Sequence, residues 1–130
     1  MKVNVGKPSN YKMNNCIVII DDNKRQLDGY TKDVINPFNI EAKMKAFGFN
    51  TQTVKGNDLD AIDEAITKAK SVTDSAVCIV LDTIKGQGVK FFEELLDNHS
   101  VKFNTEEVNR ATDEAKASLK KEIEEEEQHV

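Results

Sequence analysis

Strand-like runs punctuate the chain at CIVII (16–20), TQTV (51–54) and AVCIVL (76–81), and apolar residues between them recur at helical spacing. The first and third runs are near-continuous, the pattern of strands in a parallel sheet covered on both faces. Between the first and second, Ile40, Met44 and Phe47 fall at i, i+4 and i+7, which predicts a helix over 40–47 stopped by Gly48. Between the second and third, Leu59, Ile62, Ile66 and Ala69 form one face of a helix over 58–70, with Asn57 or Asp58 as its N-cap. Strand, helix, strand, helix, strand is the alternation of an α/β fold with a mostly parallel sheet and flanking helices.

The stretch DTIKGQGVKFFEELLDNHSVKFN that follows reads as a loop with short helical pieces. From Thr105 to about Glu127, the residues Val108, Ala111, Ala115, Leu119 and Ile123 lay a thin apolar stripe along a last helix. Its end, EIEEEE, sets carboxylates against the negative pole of the helix dipole, so fraying is expected from about residue 125. Three strands are few for a sheet covered on both faces. The first strand begins with no helix before it to cover it, and its outer edge should be open to other chains. Residues 1–130, without repeats or an interdomain linker, are therefore expected to be the second half of a larger domain.

Composition narrows the function classes. A chain of 130 residues is one domain or part of one. With 38% hydrophobic and 32% charged residues it can bury a modest core and stay in water. A net charge of −5 argues against nucleic acid, whose phosphates need clustered Lys and Arg. No apolar run approaches the roughly 20 residues of a membrane span. The opening MKVNVGKPSNYKMNN lacks the apolar core of a signal peptide, so a cytoplasmic location is the default. Cys16 and Cys78 fall inside strands and read as small, reduced hydrophobes.

The candidate chemistry lies in IVIIDDNKRQLDG, residues 17–29, an apolar strand that stops at two carboxylates. Paired carboxylates at a strand end can hold Mg²⁺. The stretch resembles the opening strand of receiver domains in two-component signalling, with Asp82, closing IVLD, as phosphoacceptor. Against this, Asp22 and Asp82 stand farther apart than receivers place them. No apolar strand ending in lysine follows Leu96, and a Gly-Gly loop replaces the expected short loop and helix.

A second resemblance covers residues 14 to 110 in continuous order. NNCIVIIDDNKRQLDG, KAFGF, KGNDLDAIDEAI and VLDTIKGQGVKFFEE are similar to four successive motifs of transketolase, in its N-terminal-subunit type. The resemblance implies part of a three-layer thiamine-diphosphate-binding fold. It implies that the Asn23 side-chain oxygen and the Arg25 backbone carbonyl bind Mg²⁺, which bridges the diphosphate of the cofactor. Asn supplies an oxygen without adding charge beside an anionic diphosphate. Gln26, Asp28 and Gly29 become loop-ordering residues, with Asp21 structural. His99 falls on the histidine of the family's Trp-His-Gly motif, with a role toward cofactor and substrate, although Asn98 and Ser100 replace its usual neighbours. Lys85, Gly86 and Gly88 would border the active-site entrance. His129, in the acidic tail, is expected in solvent.

The intact family transfers two-carbon ketol units between sugar phosphates in carbohydrate metabolism, the pentose phosphate pathway included. Its partners here would be sugar-phosphate substrates and either a C-terminal transketolase subunit or the missing N-terminal part, in a dimeric assembly. The family's Gly-Asp-Gly motif, whose aspartate is a metal ligand, is absent from these 130 residues. The chain alone is therefore expected to be inactive.

Overall fold

The computed structural model describes residues 8, 10–95, 98–100 and 105–128, with the side chain of Glu126 left aside. His129 lies outside the described residues. In chain order the elements are β1 (Ile17–Asp22), β2 (Arg25–Gln26), β3 (Gly29–Tyr30), α1 (Thr31–Val34), α2 (Ile40–Ala46), β4 (Asn50–Lys55), α3 (Leu59–Lys70), β5 (Val77–Asp82), α4 (Lys90–Glu94) and α5 (Glu106–Glu127). They fall into two compact units. The first takes the described residues of Met1–Arg25 and Tyr30–Thr83, the second those of Gln26–Gly29 and Ile84–Val130.

The first unit is built on a three-stranded sheet in the order β1-β5-β4, with both pairings parallel. The register runs from Ile17↔Val77 to Asp22↔Asp82 on one side of β5 and from Asn50↔Val77 to Lys55↔Asp82 on the other. Residues of a strand alternate between faces, and each face of β5 meets a separate apolar cluster. Cys78 and Val80 join Met44, Phe49 and Ala76, with Cys16, Val18, Ile20 and Ile40 packed around them. Val77 and Ile79 join Ala65 and Ala69 of α3, with Val54, Ile66, Val72 and Leu81 alongside. This is the α/β arrangement that the strand and helix periodicities predict.

Local signals explain the helix ends. Asp58, rather than Asn57, caps α3, its carboxylate accepting from Ala61 N at 3.0 Å. Asn39 caps α2 in the same way, accepting from Ala42 N at 2.8 Å. Gly48, at φ +86°, turns the chain out of α2. Phe47, expected on the apolar face of that helix, is the residue at its C-cap and is exposed, while Phe49 beyond the turn is buried. The small elements β2, β3 and α1 have too few residues to show a period and were not foreseen.

The expectation that β1 is covered on both faces needs correction. Its burial alternates, with Ile17 36% and Ile19 55% exposed, whereas Val77 and Ile79 beside them in register are 1% exposed. The reason is the position of α3, which packs on β4 and β5. Among the described residues of this unit, β1 therefore has an apolar face open to solvent as well as an edge without a strand partner.

In the second unit α4 packs against α5. The stripe on α5 is used only at its start: Val108 and Ala111 are buried, while Leu119 and Ile123 are exposed. The helix runs from Glu106 to Glu127. Among the described residues no helix is long and apolar enough to cross a membrane.

Candidate functional site

Parallel pairing brings the carboxyl ends of β1 and β5 side by side, where open α/β sheets usually place their ligands. The two aspartates ending β1 have different duties. Asp21 accepts from the Asn23 amide at 2.9 Å and from the Thr83 hydroxyl, tying the end of one strand to the exit of the other. Asp22 is ion-paired to Lys24, and the same ammonium reaches Asp82 at 2.8 Å. Burial alone would lower the pKa of Lys24. The hydrogen bonds and charges of Asp22 and Asp82 outweigh it, and the ammonium is held above its ordinary value. Lys24 reaches both carboxylates from a left-handed backbone, φ +65°.

Asn23 lies between these groups in a tight turn. Its carbonyl oxygen accepts from Arg25 N at 3.0 Å, and its amide holds Asp21. Arg25 lays its guanidinium 4.7 Å from the centre of the Tyr30 ring and donates to the Tyr30 hydroxyl at 3.3 Å. Gly29, at φ +126°, makes the return that places Tyr30 there. An open cleft of about 530 Å³ adjoins Asp22 and Lys24, walled by Tyr30, Lys32 and Phe38. Asn23 and Arg25, two residues apart, share this turn.

The third expected residue belongs to the second unit. His99 is exposed, and its Nδ1 lies 3.0 Å from the Lys85 ammonium. Asn98 donates from its amide to the carbonyls of Phe92, at 2.8 Å, and Lys85, at 3.2 Å. Gly86 has φ +82°, and a Cβ there would sit 2.7 Å from that of Phe92. Only glycine lets the loop close on α4 in this way. Gly88 N donates to Glu93 at 2.8 Å, completing the closure.

The donor set can be weighed against Mg²⁺. An amide carbonyl oxygen has two lone pairs, so Asn23 Oδ1 can accept from Arg25 N and still offer one. It is a hard, neutral oxygen of the kind Mg²⁺ takes alongside phosphate oxygens. Among the described residues no group of three His, Cys, Asp or Glu could form an all-protein metal cage.

Sequence reasoning missed Lys24, Tyr30 and Asn98. Lys24 depends on a left-handed turn and on β5 lying beside β1. Asn98 works through two backbone carbonyls that no spacing rule picks out.

The family description "Transketolase, thiamine diphosphate binding domain" matches residues 6–125. The chain belongs to the transketolase family. It is 40% identical over 112 residues to the 6-deoxy-6-sulfo-D-fructose transketolase subunit SqwG of Clostridium sp. (strain MSTE9), a match covering 85% of this chain and 39% of that protein. It is 32% identical over 106 residues to an apulose-4-phosphate transketolase subunit of Actinobacillus succinogenes, covering 82% and 38%. Among solved structures, the transketolase of Campylobacter jejuni superposes with a TM-score of 0.70 at 25% identity, over 85% of this chain and 17% of that one. The chain thus spans about two fifths of these curated relatives. It is a transketolase-family thiamine-diphosphate-binding domain with a mostly parallel sheet flanked by helices. The receiver alternative gains no support from these likenesses.

Proposed function

We propose that residues 1–130 are the C-terminal part of a transketolase thiamine-diphosphate domain, in an assembly that transfers two-carbon ketol units between sugar phosphates. The observation that carries the reading is the turn at Asn23, where a neutral oxygen is presented at the shared carboxyl end of two parallel strands. The Asn23 side chain and the Arg25 carbonyl would hold Mg²⁺ against the diphosphate, and His99 would contact the cofactor and the reacting end of the substrate. When bound, thiamine diphosphate supplies the carbanion chemistry itself. The chain's own residues give placement. Asp21 orients the Asn23 amide, and Lys24 neutralises the Asp22 and Asp82 carboxylates next to an anionic ligand.

Both relatives named above are subunits; one is named for a sugar phosphate, apulose 4-phosphate, and the other for a sulfonated fructose, which supports a sugar carrying an anionic group, a sugar phosphate in this reading, as the substrate of this assembly. A C-terminal transketolase subunit or the N-terminal part of the domain would be the partner, in a dimeric cytoplasmic enzyme. With no Gly-Asp-Gly among its residues, this chain would bind thiamine diphosphate weakly or not at all by itself. Calorimetry with thiamine diphosphate and Mg²⁺ should show no micromolar binding to the chain alone. Tight, Mg²⁺-dependent binding would refute the proposed incompleteness, and Asn23→Ala would then show whether Asn23 is the ligand.

A further inference from the structure

We infer that Lys85 is a positioning residue for His99, fixing which ring nitrogen carries the proton. Lysine's ammonium has three donors and no acceptor, and a neutral imidazole has one of each. At 3.0 Å from Lys85 Nζ, Nδ1 of His99 must be the acceptor, so the proton sits on Nε2. The ring then offers Nε2–H as a donor on the side away from Lys85.

The backbone of the loop that carries Lys85 is itself held against α4. The Asn98 amide binds the carbonyls of Lys85 and Phe92 together, joining the loop to α4 one residue before His99 itself. Gly86 allows the loop to press against Phe92, and Gly88 N is anchored on Glu93. The meaning of the exposed Nε2–H rests on the function proposed above: a fixed donor suits the anionic oxygens of a diphosphate or an oxyanion developing on substrate. The placement of the proton by Lys85 does not depend on that reading.

The test is a long-range ¹H–¹⁵N spectrum of the histidine rings of the full chain without ligand, recorded in alkaline buffer under conditions where the ring nitrogen shifts themselves identify the neutral form. The chain has only two histidines, and His129→Gln identifies the signals of His99. The wild type should show His99 as a single Nε2–H tautomer. Lys85→Arg, which keeps a donor, should preserve it. Lys85→Glu, which puts an acceptor in its place, should transfer the proton to Nδ1. An Nδ1–H wild type, or one ring pattern shared by all three proteins, would overturn the inference. Because no ligand is present, this experiment can fail while the binding measurements above succeed, and the reverse.

Discussion

β1 and β5 are nearly the same string, IVIIDD against VCIVLD, and they pair residue for residue. Their surroundings differ completely. Four successive residues of β5 are buried, while β1 alternates between half-buried and exposed. β5 lies between two strands and under helices on both faces, whereas β1 is an edge strand with one face covered. Two similar runs of apolar residues therefore contribute unequally to stability, because transfer from water counts only where something completes the burial. The uncovered face of β1 is also where a further layer of the domain would gain most.

The largest expected effect separates the two strands directly. Ile79→Ala should cost about 2–5 kcal/mol, the usual range for a fully buried isoleucine. Ile19→Ala, at the same register on the same face, should stay within about 1 kcal/mol. Urea unfolding of both variants decides, and equal losses would break the comparison. Next in size is thiol chemistry. Burial pushes the Cys78 thiol up to about 11, whereas Cys16 precedes β1 and is only half-buried. Iodoacetamide should modify Cys16 in the native chain and reach Cys78 only on unfolding; equal rates would show that β5 opens as readily as β1.

The same shift sets a pH dependence. Between the ordinary value of 9.0 and about 11, the unfolded chain releases the Cys78 proton while the folded chain keeps it. The unfolded state then binds fewer protons, so stability should decline as pH rises through that window. Cys78→Ala should flatten the decline in an alkaline denaturation series, and a decline unchanged by it would point elsewhere. The smallest effect concerns association. Exposed edges and apolar faces recruit other chains, so Ile19→Lys should lower light scattering at fixed concentration with little change in stability.

Much of this was legible in the sequence because it is local. Asp58 caps its helix with its own side chain, and Gly48 stops α2 by its backbone freedom. IVIIDDN announced a strand delivering polar groups, and Asn23 and Arg25 do fall in one turn. Lys24 was not legible, because its partner Asp82 is remote in the chain and reaches it only through strand order. The exposure of Phe47 was missed for a related reason: its position fits the helical face, but the helix ends before it.

By itself, then, the sequence determined the three strands of the sheet, the longer helices, the start of α3 and the stop of α2 through signals within a few residues, and the strand–helix alternation that calls for a parallel sheet. Only the tertiary structure decided that β5 rather than β1 lies at the centre, that Lys24 bridges two strand ends, and that Lys85 faces His99. Each of these depends on groups distant in the chain meeting in space, and a residue's own pattern carries no record of the neighbour that will cover it.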